Sequence, residues 1–145
     1  VSISLSDSFC VDRHRESFRD LVHNHIDVLF ANEDEIKSLY EVETFEEALA
    51  EVRKHCKVAA LTRSEKGAVI VSDNELYEIS AEPVTRVLDT TGAGDLFASG
   101  FLYGYTKGHD LATCGQLGAI CAAEVISHMG ARPVADLKDL INKAI

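Results

Sequence analysis

Short apolar runs alternate with longer stretches of helical periodicity along the whole chain, and no other feature restricts the fold as strongly. Val1 to Leu5, Asp27 to Ala31 and Val58 to Thr62 read as strands. Between them, Asp12 is placed to cap a helix running to Asn24. Further helices are expected over Glu33 to Tyr40 and Thr44 to Cys56, the second opening with Thr44 and Glu47 at capping-box spacing. Ala68 to Val71 and Leu76 to Ile79 flank Asp73-Asn74 as a hairpin, and Val84 to Leu88 reads as one more strand. Helices follow at about Gly94 to Lys107 and Leu111 to His128, with a last one from Asp136 to Ala144. This alternation with short connections predicts an α/β domain with a doubly wound, mainly parallel sheet and helices on both faces. Ligands of such sheets bind beyond the carboxyl ends of the strands, where Asn32, Thr62 and Asp89 fall.

A length of 145 residues suits one domain with a real core, and 46% hydrophobic with 26% charged residues is ordinary globular composition. The net charge of -10 argues against nucleic acid or an anionic membrane as partner, because both call for basic patches. Acidic residues crowd Glu33 to Glu51 and read as a solvated helix face, with Glu35 the exception. No apolar run approaches the roughly 18 residues of a membrane helix, and no leader opens the chain, so a soluble, cytoplasmic protein is expected. Cys10, Cys56, Cys114 and Cys121 lack metal or redox spacing and read as reduced, mostly core thiols. The histidines are scattered and read as surface or helix-end residues.

The stretch from Leu88 to Phe101, LDTTGAGDLFASGF, joins an apolar run to a helical run through a glycine-rich turn that ends in a carboxylate. N–H groups of Gly92, Ala93 and Gly94 are expected to lie free at the helix start, where the helix dipole favours an anion, and Asp95 in the first turn can face the same spot. A dinucleotide fingerprint would need glycine where Phe97 stands, and a Walker loop would need a Gly-Lys pair that the chain lacks. Taken alone, the turn fits equally a corner whose glycines only redirect the chain and whose Asp95 only complements the dipole.

The longer string resembles the C-terminal signature of the ribokinase-like (PfkB) family of carbohydrate and nucleoside kinases. Three other segments agree in order and spacing: Asn32-Glu33-Asp34-Glu35 with the family's N-x-x-E motif, Leu61 to Gly67 with its nucleotide loop, and Gly130-Ala131-Arg132-Pro133 with its closing G-A-x-P. The resemblance covers residues 1–145 as the C-terminal, nucleotide-binding and catalytic part of a Rossmann-like, ribokinase-like domain. The N-terminal half, with the lid and most sugar-holding residues, is expected upstream of Val1. The opening string Ser6 to Arg13 looks most like adenosine-kinase-like bacterial members.

The resemblance implies in-line transfer of the γ-phosphoryl group of ATP to a primary hydroxyl of a sugar or nucleoside. Asp95 would be the general base, and Gly92, Ala93 and Gly94 the anion hole. Asn32 and Glu35 would hold Mg2+ through waters; their spacing equally makes a helix cap, and both roles can hold at once. Thr62, Ser64 and Gly67 would contact nucleotide, although Ser64 stands where glycine is usual and serine adopts positive φ less readily. Arg63 suits a phosphate or a solvated surface equally. Ala119, Ala122 and Ala123 are candidates for the adenine slot, with core packing an equal alternative. Asp89 and Thr91, with carbonyls near Val125, His128 and Gly130, are candidates for a K+ site, which Val134 weakens by replacing a hydroxyl. Gly100 and Gly104 form a small-xxx-small seam that suits close helix packing in a soluble chain. The resemblance allows a homodimer of the complete enzyme. A non-catalytic nucleotide-binding or regulatory module with the same fold is the competing reading.

Overall fold

The run Val58–Thr62 becomes the middle strand of a five-stranded sheet in the computed structural model, which describes all residues, Val1–Ile145. The elements in chain order are β1 (Ser2–Ser4), α1 (Ser8–Arg13), α2 (Arg15–Asn24), β2 (Val28–Asn32), α3 (Glu33–Tyr40), α4 (Phe45–His55) and β3 (Val58–Thr62). A 3-10 turn (Ser64–Lys66), β4 (Ala68–Ser72), β5 (Leu76–Ile79), α5 (Ala93–Thr106), α6 (Leu111–Ile126) and α7 (Leu137–Ala144) complete the chain. Strand order is β1-β2-β3-β4-β5, with β1, β2 and β3 parallel. The connection from β3 to β4 is too short for a parallel crossover, which takes about a dozen residues, so β4 reverses direction. Ser72 N–H donates to Glu75 O at 3.0 Å and closes the β4–β5 hairpin expected at Asp73-Asn74. The chain is α/β with a mainly parallel sheet, as its alternation predicts.

The chain divides into two compact units, Val1–Arg63 with Val69–Tyr77, and Ser64–Ala68 with Glu78–Ile145. In the first, Leu29, Ala31, Ala59, Leu61, Val69 and Val71 meet Val11, Val22, Ile36, Leu39, Phe45, Ala48 and Val52 from the helices. The opposite alternation, Val28, Phe30, Val58, Ala60 and Ile70, is buried as well, which is the pattern of a parallel sheet covered on both faces. In the second unit α5 and α6 pack closely. A Cβ on Gly100 would stand 2.3 Å from Leu117 O, so only glycine allows this approach, and the Gly100/Gly104 seam serves helix packing. Leu117, Cys121 and Ile141 form a further cluster there with Leu96, Tyr103, Ile120 and Leu137. All four cysteines are free, and Cys56, Cys114 and Cys121 are buried. No helix is long and apolar enough to cross a membrane.

Two expected elements take a different form. The first helix is broken at His14, and Asp7 caps it by accepting Cys10 N–H at 2.8 Å. Asp12 lies inside α1, where its carboxylate accepts instead from Arg15 Nη2 at 2.7 Å and from the Ser38 hydroxyl. Val84 to Leu88 is not a strand. Its β-branched residues fit a ladder, but a ladder needs a neighbouring edge, and Leu88 N–H donates instead to Ile126 O at the end of α6, at 2.9 Å.

Candidate phosphate cradle and catalytic carboxylate

The β2–β3 register pairs Asn32 with Thr62, so both stand side by side at the carboxyl ends of adjacent parallel strands. Asn32 also caps α3. Its Oδ1 accepts Glu35 N–H at 2.8 Å, while Glu35 Oε2 accepts Asn32 N–H at 2.8 Å and Oε1 accepts Asn32 Nδ2 at 3.1 Å. The capping box is thus formed, with a third bond added. Glu35 is buried, and burial pushes its carboxyl above the usual carboxylate range against the pull of the Asn32 N–H bond. Locked to each other, these two side chains offer oxygen lone pairs suited to a hydrated hard cation rather than a full coordination shell, and no group of three His, Cys, Asp or Glu side chains converges anywhere. Arg63 is engaged by neighbouring side chains. Its Nε donates to Glu33 Oε2 at 3.0 Å, and its guanidinium lies 4.0 Å over the Phe45 ring.

Beyond Thr62 the chain enters the 3-10 turn with Ser64 in the left-handed region, φ 55, and leaves it through Gly67 at φ 87. The left-handed position usual for glycine is therefore kept, and the serine occupies it at a conformational cost. Ser64 is exposed, and its carbonyl accepts Gly67 N–H at 3.0 Å, which closes the turn.

In the second unit Gly92 is the N-cap of α5 with φ 80 and no side-chain cap. Positive φ and the Ala131 Cβ, which a Cβ on Gly92 would meet at 2.9 Å, both require glycine here. Of the three N–H groups expected free, that of Ala93 is not, because it turns back onto Thr90 O at 3.2 Å. The N–H groups of Gly94 and Asp95 precede the first intrahelical bond, Leu96 N–H to Gly92 O at 2.9 Å, and no protein acceptor reaches them. A Cβ on Gly94 would meet nothing within 4 Å, and the helix dipole favours an anion at this end of α5. The exposed Asp95 carboxylate stands in that same first turn.

Asp89 ties this turn to the segment after α6. Its Oδ1 accepts Thr91 N–H at 2.9 Å and its Oδ2 accepts Gly130 N–H at 3.0 Å. Hydrogen bonds from the Thr91 hydroxyl first, then from the Thr91 and Gly130 N–H groups, hold its pKa down at about 2. Each Asp89 oxygen thus accepts one backbone N–H, and Val134 adds no hydroxyl beside it. Ala122 and Ala123 are half-buried on α6, whereas Ala119 belongs to the core.

Sequence reasoning missed two features. His23 stacks on His55 with centroids 3.9 Å apart, and burial followed by the His55 charge lowers its pKa. Glu124, outside every motif, binds the segment after α6. Both depend on residues distant in sequence, for which local pattern carries no signal.

In the first unit β2 and β3 end in the polar residues Asn32 and Thr62, and in the second α5 opens on N–H groups with no protein acceptor, a helix end that favours an anion. Residues 3–137 match the pfkB family carbohydrate kinases, and the chain belongs to that family. It is similar to a probable sugar kinase from Rhizobium etli, at 51% identity and TM-score 0.96, over 99% of this chain and 44% of that one. An adenosine kinase from Sinorhizobium meliloti superposes with TM-score 0.96 at 44% identity, again over 99% and 44% of the two chains. A ribokinase of Arabidopsis thaliana complexed with ribose and ATP gives TM-score 0.75 at 26% identity, over 86% of this chain and 42% of that one. The chain thus spans less than half the length of these relatives.

Proposed function

We propose that the natural protein is an ATP-dependent phosphotransferase acting on a primary hydroxyl of a sugar or nucleoside, of adenosine- or ribose-like kind, and that residues 1–145 supply its nucleotide-binding and catalytic part. The observation that carries this reading is the opening of α5, where the Gly94 and Asp95 N–H groups have no protein acceptor and the Asp95 carboxylate stands in the same first turn. Asp95 accepts the proton of the attacking hydroxyl as its oxygen meets the γ-phosphorus. The transition state of such transfers is loose, so positioning and charge stabilisation matter more than the strength of the base. The N–H groups of Gly94 and Asp95 donate to the charge growing on the transferred group, with Gly92 and Ala93 setting the backbone path; losing one aligned donor typically costs about 3 to 4 kcal/mol.

Thr62, Ser64 and Gly67 are assigned to the nucleotide phosphates, and Ala122 and Ala123 to the adenine face, a role that their half-burial leaves open to them. Asn32 and Glu35 are assigned to Mg2+ through its water shell, where the ion would shield the polyphosphate charge. Asp89 and Thr91, with the backbone carbonyls near Val125, His128 and Gly130, are assigned to a K+ ion beside the anion hole, an assignment that Val134 weakens by lacking a hydroxyl. An ATP-consuming reaction of this kind belongs in the cytoplasm. The test is a screen of nucleosides and sugars with Mg-ATP and the natural protein, reading ADP release and phosphorylated product. Product at a primary hydroxyl supports the reading, whereas ATP binding with no product from any acceptor favours a binding module.

A further inference from the structure

The segment after α6, residues 127–136, has no helix or strand, yet it brings Ala131 against Gly92 and Gly130 N–H onto Asp89. Something must hold such a segment in place. Asp89 holds one end. At the other, Glu124 in the last turn of α6 accepts Val134 N–H at 2.9 Å and Ala135 N–H at 2.8 Å on a single oxygen, Oε1, which also lies 3.1 Å from His128 Nε2. Glu124 is only 8% exposed, and its second oxygen is buried with no partner. A carboxylate is costly to bury, and an apolar residue on α6 would avoid that cost. What the carboxylate achieves is to fasten successive backbone N–H groups of a segment that has no ladder of its own.

We propose that Glu124 is a positioning residue for phosphoryl transfer, clamping Val134 and Ala135 so that Ala131 stays seated on Gly92 and the Gly92–Asp95 turn keeps its donors aligned. Released at that end, the segment withdraws Ala131, and the turn loses the wall that supports Gly92. The effect reaches the reacting group only through backbone geometry, so it falls on turnover more than on ATP binding. This inference rests on the phosphotransferase reading.

The test compares Glu124→Asp, Glu124→Ala and Glu124→Gln in the natural protein by kcat, KM for ATP, thermal midpoint and amide NMR shifts. Asp keeps the charge but is one methylene too short, whereas Gln keeps a carbonyl oxygen at the original reach. Expected are a kcat loss of about tenfold or more for Asp and Ala, KM for ATP within about twofold of wild type, and near-complete recovery in Gln. The Gly92–Asp95 amide resonances should shift in Asp and Ala and stay in place in Gln. The proposal is overturned if kcat holds while the Val134 and Ala135 resonances show the clamp broken, or if kcat falls only in proportion to the folded fraction. Should the Ala variant fail to fold, Asp carries the same expectation. If the natural protein phosphorylates nothing, the functional reading fails separately, and unmoved Gly92–Asp95 resonances in Glu124→Asp would still overturn the clamp.

Discussion

Gly94 differs from the other glycines of α5 in that nothing in the protein explains its missing side chain. Gly100 and Gly104 face α6, but a Cβ on Gly94 would meet no atom within 4 Å, and its φ is not in the left-handed region. Stability alone would therefore favour alanine. Gly94→Ala should raise stability by up to about 1 kcal/mol, the usual helix preference, while filling the space we propose for phosphate. Thermal melts together with calorimetric titration of Mg-ATP check this; unchanged ATP affinity in the alanine variant would show that the space is not the phosphate seat. At this scale the sequence was legible where chemistry is local. The Asn32/Glu35 and Thr44/Glu47 pairs sit at a fixed spacing of three and form the boxes that spacing predicts. Arg63 was not legible, because its partners Glu33 and Phe45 come from other elements.

At the scale of elements, α5 and α6 are held at a distance that only a glycine permits. Gly100→Ala places a Cβ 2.3 Å from a backbone oxygen that no rotamer change can move, and overpacking of this kind typically costs about 1–3 kcal/mol or more. Denaturant melts should show that loss, in contrast with the gain at Gly94; a neutral result would mean that the two helices separate freely. The link from the α5 turn to the segment after α6 is pH-dependent through Asp89. Its folded pKa, about 2, lies below the ordinary 3.8, so its contribution to stability is present above pH 3.8 and is lost as pH falls towards about 2. The Gly130 amide resonance followed on acidification should move over that window and not at higher pH. Glu35 acts in the opposite sense, since its raised pKa lets the folded chain take up a proton before the unfolded one does. Periodicity found nearly every helix and strand, and failed where an element depends on a distant neighbour. Val84 to Leu88 has strand-forming residues, yet its Leu88 N–H goes to Ile126 O at the end of α6, and the Asp12 carboxylate is drawn away from a capping role by Arg15 and Ser38.

For the whole molecule, the chain spans 44% of the similar kinases from Rhizobium etli and Sinorhizobium meliloti, and in-line transfer needs the acceptor oxygen held close to the γ-phosphate. Residues 1–145 expressed alone should therefore bind Mg-ATP weakly and phosphorylate nothing efficiently. Calorimetry and the acceptor screen applied to this polypeptide test that; rapid, acceptor-specific turnover would place the substrate site within it. The family was legible in the sequence because its motifs gather backbone-defined turns, whereas the acceptor was not, since no segment of this chain carries a recognisable sugar-holding pattern. We propose above all that Asp95 accepts the proton of the attacking hydroxyl. The most direct test is the kcat of Asp95→Asn in the natural protein, measured beside its affinity for Mg-ATP. The amide keeps the size of the carboxylate but cannot take the proton, so turnover should vanish while ATP binding stays largely intact. A variant that kept more than about a tenth of the wild-type kcat would contradict the assignment.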